Sequence, residues 1–305
     1  MILNPKKQAD RISSVHVNRY HELRETFVHL KENKSAMIGL AIILFLVFVA
    51  IFAPWIAPNN PFQRNLAMRL KPGIWAEGFG TRFLLGTDYM GRGIFSRIVF
   101  GARDSLSVGF IAVAIATSLG TILGLAAGYY GRLVDHIVSR FVDIMFAFPS
   151  ILLAIAIMAA LGPGLEKAMI AIGIVYTPQI ARVVRGSVLQ VKGMAYIDAE
   201  RAIGSSNMRI IFAHILPNIV APLIVYMTLS VASAVLDAAA LGFLGLGAQP
   251  PRPEWGAMLA NSRQYLLSGA WWAITFPGLA IMSTVLSLNL FGDGLRDALD
   301  PKLRK

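Results

Sequence analysis

The sequence SLSVGFIAVAIATSLGTILGLAAGY occupies residues 105–129 and contains no charged side chain. A helix needs about 20 apolar residues to cross the hydrocarbon core of a bilayer. Because lipid offers no hydrogen-bond partners, a segment in contact with it must satisfy its backbone polar groups internally, as a helix does. We therefore predict that residues 105–129 form a transmembrane helix.

Five further apolar runs flank this one. The other predicted spans are residues 36–53, 137–161, 167–184, 215–236 and 271–291. The first of them follows about 35 mostly polar residues, so we expect a retained anchor and not a cleaved signal peptide. Six such runs predict an all-α, multi-pass membrane protein.

The composition agrees with membrane insertion and limits the available chemistry. Of the 305 residues, 56% are hydrophobic and 15% are charged, and the mean hydropathy is +0.61. Soluble domains are about one quarter charged. The chain has no cysteine, and its five histidines form no HExxH pair, so thiolate chemistry is excluded and we expect no metal site.

The distribution of basic residues predicts the orientation. The formal net charge is +11, and basic residues in membrane proteins collect on cytoplasmic segments. With both termini cytoplasmic, 18 of the 28 Lys and Arg residues lie on the inner side. We therefore expect a membrane protein with both termini in the cytoplasm. No basic stripe is interleaved with aromatic residues, so we expect no nucleic-acid partner.

The spans divide the chain into four regions. We expect a cytoplasmic tail at residues 1–35, the first span with an outer loop at 36–104, a five-helix core at 105–293, and a cytoplasmic tail at 294–305. The core contains a polar insert on the inner side.

The N-terminal region carries a helical pattern before the first span. Tyr20, Leu23, Phe27 and Leu30 recur at intervals of three or four residues within residues 16–35. This spacing favours an amphipathic helix on the lipid surface of the membrane. A solvated helical tail is the alternative interpretation.

Three glycines share one face of the second span. Gly120, Gly124 and Gly128 form two overlapping GxxxG steps. Small residues at this spacing let two helix backbones approach closely in lipid. The motif therefore predicts a helix-packing face, without naming the partner helix.

The sequence offers no set of catalytic residues. It has no GxxxxGK[ST] loop, so the chain is not expected to bind ATP by itself. Ionisable residues within spans are functional candidates, and Asp143 and Asp237 are two of them. Both lie near a predicted span end. We favour a structural carboxylate for Asp143, with Arg140 as a neighbouring partner.

The polar insert between the fourth and fifth spans, residues 185–214, is the most informative segment. Residues 196–209 can form a short helix that Gly204 breaks or turns, and Pro217 is expected in the first turn of the next span, where proline is tolerated. A short helix held between two spans could transmit motion from a docked partner to those spans.

The insert resembles the coupling loop of ATP-binding cassette (ABC) importer permeases. That loop has an EAA triplet, a glycine, and I-x-L-P-type residues before the next span. The matching residues here are Asp198, Ala199, Glu200, Gly204, Ile215 and Pro217. The triplet departs from the family pattern in having aspartate first.

Three other segments sharpen the resemblance. They match the C-type permease subunits of dipeptide and oligopeptide importers, the peptide/nickel class. The segments are LLGTD with GR at residues 84–92, LGFLGLGAQPP through PEWG at 241–256, and NLFGDGLRDALDP at 289–301. Gly93 stands where the family usually has aspartate.

The resemblance implies the MetI-like fold of type I ABC importers, a location in the bacterial inner membrane and a set of partners. They are a B-type permease subunit, two ATPase subunits that bind the ATP, and an extracytoplasmic peptide-binding protein, with membrane lipid around the helices. It also implies a transport subunit with no cofactor of its own and a coupling role for the six residues above. Dipeptides or oligopeptides are the expected cargo, and nickel chelates, glutathione or other small solutes are the alternative.

Two interpretations from other classes stay open at this stage. A stand-alone carrier or channel would need its own ion-coupling residues or filter. A membrane enzyme would need a catalytic constellation. The sequence shows no clear candidate for either. The residues that line the transport path are not identified.

Overall fold

The computed structural model describes residues 28–76 and 83–299. All of its regular elements in these ranges are helical. The helices are α1 (Lys34–Ile51), α2 (Ala53–Ile56), α3 (Ile94–Tyr130), α4 (Arg132–Phe146), α5 (Ser150–Leu161), α6 (Leu165–Lys192), α7 (Ala195–Ala202), α8 (Asn207–Phe243), α9 (Trp255–Ser262) and α10 (Trp272–Leu299). Single 3₁₀ turns cover Leu66–Met68 and Arg263–Tyr265.

Five helices are long and apolar enough to cross a membrane, namely α1, α3, α6, α8 and α10. The pair α4 and α5 supplies a sixth crossing, broken by a bend of 93°. The predicted all-α architecture is confirmed over the described residues. The predicted interfacial helix of residues 16–35 lies largely outside them, although residues 28–32 are helical.

The predicted span limits differ from the helix ends. Helix α3 begins at Ile94, well before residue 105, because Arg97 and Arg103 lower the local hydropathy without interrupting the helix. Helix α8 begins at Asn207, so the end of the polar insert belongs to it. Helix α10 continues to Leu299, into the predicted cytoplasmic tail.

The three glycines of the second span lie against α6. A Cβ atom added to any of them would come within 2.9 Å of an α6 side chain. The closest side chains on α6 are Ile180 at Gly120, Val184 at Gly124 and Val188 at Gly128. The missing side chains therefore let α3 and α6 pack backbone to backbone, as small residues do in membrane helices.

This packing also sets the chain direction. Each glycine and its partner are 60 positions apart, so the offset stays constant along the pair and α3 and α6 run parallel. Two parallel spans need a return crossing between them. Helices α4 and α5 supply it.

A buried ion network holds the outer loops. Asp88 Oδ2 lies 2.7 Å from Arg92 Nε and 3.5 Å from Arg97 Nε, and all three side chains are buried. Arg97 Nη1 also donates to the carbonyl oxygens of Pro61 (3.0 Å) and Pro251 (3.3 Å). Two loops that are distant in sequence are thereby fastened to the first turn of α3.

A second buried carboxylate begins α9. Glu254 is only 2% exposed and caps the helix by accepting hydrogen bonds from Gly256 N (2.7 Å) and Ala257 N (2.8 Å). Ser105 of α3 donates to the same carboxylate at 3.4 Å. Burial raises the pKa of Glu254 from 4.5 to about 7 although these hydrogen bonds favour the charged form.

We predict that Gly124→Val destabilises the protein. The added side chain would meet Val184 Cβ at 2.7 Å and Ala181 O at 2.7 Å, and overpacking costs about 1–3 kcal/mol. The thermal unfolding midpoint in nanodiscs measures the effect. Gly186→Val is the control on α6, because an added Cβ there meets nothing within 4 Å. Equal midpoints for the two variants would contradict the packing role.

We predict that stability falls as the pH rises from about 4.5 to about 7 through Glu254. The folded pKa lies above the unfolded value, so the folded state holds the proton that the unfolded state releases in this window. The contribution is complete below about pH 4.5 and is lost by about pH 7. Unfolding midpoints across this range test it. Glu254→Gln should flatten the dependence, and an unchanged slope in that variant would refute the assignment.

Candidate functional site

Helix α7 lies in the polar insert and is anchored by one apolar side chain. Ile197 is fully buried in the main hydrophobic core, in the same cluster as Val191 of α6 and Ile211 of α8. Asp198 and Ala199, the next two residues, are exposed. The helix therefore has one face fixed to the bundle and another open to solvent.

Gly204 ends α7 in a Schellman motif. Its φ is +81°, in the left-handed region that glycine adopts at low cost. The N–H of Gly204 donates to Arg201 O and the N–H of Ser205 donates to Glu200 O, each at 3.0 Å. These bonds satisfy carbonyls that the helix end would leave free. The prediction that Gly204 turns the chain is thus matched by the geometry.

Glu200 connects α7 to the start of α8. Ser205 Oγ donates to Glu200 Oε2 at 2.6 Å, and His214 Nε2 lies 3.6 Å from Glu200 Oε1. Tyr196 lies beside the same segment, where its hydroxyl accepts from Asn218 Nδ2 at 3.3 Å. Two side chains of α7, Tyr196 and Glu200, therefore contact α8, at Asn218 and His214 respectively.

The end of α3 lies against both neighbours of α7. Tyr129 donates its hydroxyl hydrogen to Asn207 Oδ1 at 2.7 Å, and Lys192 Nζ donates to Tyr129 O at 2.6 Å. Asn207 begins α8 and Lys192 ends α6. The two ends that carry α7 are thus joined through α3.

The chain enters α8 through a π-helical segment, Ile210–Ile215, which precedes Pro217. Pro217 lies in the first turn of the α-helical part, Leu216–Phe243, as expected. The span as a whole starts earlier, because the helical residues from Asn207 onward are continuous with it. A π segment changes the hydrogen-bond register, so the helix can continue past a residue that has no N–H.

The six residues singled out in the sequence divide into three groups. Asp198, Ala199 and Gly204 are exposed on the inner loop. Glu200 is half-buried in the bridge to α8. Ile215 is fully buried and Pro217 is partly buried within α8, so these two belong to the support and not to the exposed face.

The structure adds three exposed apolar side chains to this region. They are Ile203, which is 78% exposed, with Met208 and Phe212. Met208 and Phe212 are four positions apart at the start of α8 and share a face. Their occurrence in a polar insert is the sequence signal that could have identified them. Exposed apolar side chains on a rigid loop are typical of a protein contact surface.

The two intramembrane carboxylates have partners on α6. Asp143 Oδ1 accepts from Arg182 Nη2 at 3.3 Å, so the proposed pairing with Arg140 is wrong, because α6 packs alongside α4. Asp237 of α8 accepts from the hydroxyl of Tyr176 of α6 at 3.0 Å. Residues 28–76 and 83–299 contain no group of three His, Asp or Glu side chains that could hold a metal.

Two families match the sequence, and they account for most of the chain. The family described as "Binding-protein-dependent transport system inner membrane component" matches residues 120–305. The family described as "N-terminal TM domain of oligopeptide transport permease C" matches residues 22–72.

Several relatives match over nearly the full length of both chains. The dipeptide transport system permease protein DppC of Alkalihalophilus pseudofirmus is 54% identical and covers 92% of this chain and 90% of its own. The di/tripeptide transport system permease protein DppC of Pseudomonas aeruginosa is 49% identical and covers 96% and 95%. The dipeptide transport system permease protein DppC of Escherichia coli is 50% identical and covers 93% and 94%.

Solved structures confirm the fold. The inward-facing MetNI methionine ABC transporter has a chain that covers 68% of this chain and 98% of its own, with a TM-score of 0.55 and 22% identity. A second crystal form gives a TM-score of 0.54 and covers 67% and 96%. The MetI-like fold predicted from the sequence is therefore present.

These similarities confirm a transport subunit and do not favour a stand-alone carrier or a membrane enzyme. An ABC importer permease works with ATPase subunits and with a binding protein, so the chain acts within a complex. It is a multi-pass membrane protein, and it belongs to the binding-protein-dependent transport system inner-membrane components, in the DppC permease family.

Proposed function

We propose that this chain forms half of the translocation path of a dipeptide importer and that α7 is the docking site for an ATPase subunit. The observation that carries the proposal is the construction of α7. The face of α7 that points away from the bundle is open to solvent, while Ile197 and Glu200 fix the helix to the bundle. ATP binds to the ATPase subunits, and this chain needs no cofactor of its own.

The contacts of α7 explain how a movement of the ATPases would reach the path. A force on α7 passes through Ile197 into the core shared with α6, and through Glu200 to His214 of α8. Because these links are short and buried or half-buried, α6 and α8 move with α7. ATP binding would draw the ATPases together and open the cavity to the outer side of the membrane. Hydrolysis would then make the cavity open toward the cytoplasm again.

The second half of the path is a B-type permease subunit in this proposal. Large apolar side chains remain exposed on several spans, including Phe45 of α1, Ile122 of α3 and Leu152 of α5. Lipid and a second permease are the two surroundings that suit such surfaces. In a heterodimer, part of this apolar surface contacts the second permease and the rest contacts lipid.

Dipeptides are the proposed cargo. Support comes from the relatives named above, two of which are named for dipeptides and one for di- and tripeptides.

The orientation of the chain in the membrane follows from α7, which must face the cytoplasm to meet an ATPase. The start of α1 packs against the end of α10, where Gly294 meets Ala36, on the side of the membrane that carries α7. In this proposal both termini are therefore cytoplasmic.

The direct test is purification of the tagged chain from its native membrane in a mild detergent, with mass spectrometry of the co-eluting proteins. We expect a second permease and P-loop ATPases in stable association. ATP-driven uptake of a radiolabelled dipeptide by the reconstituted complex then tests the cargo. Elution alone or as a homo-oligomer in several mild detergents would contradict the proposal.

We predict that Gly204→Asp permits membrane insertion but abolishes ATP-driven uptake. An added Cβ at Gly204 meets nothing within 4 Å in this chain, so only the positive φ opposes the change, at about 1–2 kcal/mol. A docked ATPase would meet the new charge and bulk. Recovery of ATPase subunits with the purified variant and its uptake rate measure the loss.

Gly269→Asp is the matched control. Gly269 has φ +85°, also meets nothing within 4 Å, and lies in the loop before α10, on the opposite side of the membrane from α7. The Gly269→Asp variant has the same cost of a non-glycine residue at positive φ, and its new side chain lies away from the proposed docking face. Normal uptake by the Gly204 variant, or equal loss of ATPase subunits from both variants, would remove the support for coupling through α7.

A further inference from the structure

Two ion pairs join α4 to α6 within the membrane-spanning part of the chain. Arg182 Nη2 lies 3.3 Å from Asp143 Oδ1, and Arg185 Nη2 lies 2.7 Å from Asp135 Oδ2. Ser139, between the two aspartates on α4, donates to Asp135 Oδ1 at 3.1 Å. These five side chains form a polar seam along two packed helices.

The seam opens into a cavity of about 230 Å³ between α4 and α6. Its lining includes Ser139, Val142, Asp143, Ala181, Arg182 and Arg185. The Asp143 and Arg182 side chains are 59% and 58% exposed, although they are paired with each other. The pair thus projects into open space and not into the packed core.

The register of α3 and α6 gives the depth of this pair. With the offset of 60 positions, Arg182 lies level with Ile122 of α3, eight residues before the end of that helix at Tyr130. At a rise of about 1.5 Å per residue, that is about 12 Å from the inner end of α3. Ile122 belongs to the uncharged run 105–129, so the pair lies beside the apolar part of α3 and not beside a polar loop.

Lipid is therefore a poor environment for this face. Charged side chains within a membrane face a water-filled cavity or another polar group, because hydrocarbon does not solvate them. The opposite face of α4 carries the exposed apolar residues Leu133, Ile137 and Ile144, which suit an apolar environment. A dry contact with a second permease would also desolvate both charges, which is costly even for a pair.

We propose that the α4–α6 seam lines the hydrated transport path and that the Asp143–Arg182 pair is a transient docking point for a zwitterionic peptide. The peptide ammonium group would meet the Asp143 carboxylate, and its carboxylate would meet the Arg182 guanidinium. A guanidinium has five N–H donors, and the bond to Asp143 uses one, so others can bind a carboxylate. The inference rests on the proposed function, since it takes the cargo to be a peptide.

Thiol labelling tests whether the seam is hydrated. The chain has no cysteine, so Asp143→Cys and Ser139→Cys each introduce a unique thiol, and the serine variant keeps both ion pairs. The complete importer in nanodiscs is treated with a charged methanethiosulfonate reagent, and the mass of this chain is measured. We expect labelling in at least one nucleotide state, and slower labelling with saturating dipeptide.

Ile122→Cys is the control for depth. Ile122 lies level with the pair and is 65% exposed on α3, outside the seam. It should stay unlabelled. Absence of labelling at both residues 139 and 143, in the nucleotide-free and the ATP-bound states, would show a dry interface and overturn the proposal.

Uptake by proteoliposomes tests the docking role. We expect Asp143→Asn and Arg182→Gln each to lower dipeptide uptake about tenfold, the scale of one lost charge-assisted hydrogen bond, with binding-protein-stimulated ATP hydrolysis retained. The control removes one partner of the exposed Glu166–Arg252 pair (2.6 Å), by Glu166→Gln, and should leave uptake unchanged.

A charge swap separates docking from a structural strut. Asp143→Arg combined with Arg182→Asp keeps an ion pair but reverses its polarity, and we expect uptake to stay low. Full uptake by the swapped chain would show that the pair is only structural, and it would overturn the docking role. Absence of ATP-driven dipeptide uptake by the unaltered complex would instead refute the proposed cargo, and thiol labelling would still decide whether the seam is hydrated.

Discussion

The parallel contact between α3 and α6 controls the rest of the structure. Three glycines remove the side chains that would separate the helices, and the offset of 60 positions then fixes their relative height. The inner ends of both helices follow from this height, and with them the position of α7. The contact also requires the chain to cross the membrane between them, which explains why α4 and α5 form one bent crossing.

The described residues are fastened together at the outer and inner ends of the bundle, and the polar seam of α4 and α6 lies between these ends. On the outer side, Asp88, Arg92, Arg97 and the cap at Glu254 tie loops to the first turns of α3. On the inner side, the contacts of Ile197 and Glu200 tie α7 to α6 and α8. Between them, the seam of α4 and α6 is open and charged. In the proposed cycle the fixed ends would move as units while the path along the seam changes the side of the membrane that it faces.

Much of this architecture could be predicted from the sequence. Uncharged runs indicated the spans, the GxxxG steps indicated a packing face, and Gly204 indicated the end of a short inner helix. The first turns of α3 could not be predicted, because Arg97 is buried by partners far away in sequence and hydropathy treats it as exposed. The pairing of Asp143 with Arg182 was missed for a related reason, since sequence favours a near neighbour and packing brings together residues 39 positions apart.

Site-specific crosslinking in the assembled complex shows whether the free face of α7 meets an ATPase. A photoreactive probe on a cysteine at Ile203 or Ala199, both exposed, is activated and the crosslinked partner is identified by mass spectrometry. A probe at the buried Ile197 serves as the comparison. We expect adducts between the two exposed positions and an ATPase subunit, with a yield that changes on ATP binding. Adducts only with lipid or with another membrane subunit, in complexes that retain their ATPases, would contradict it.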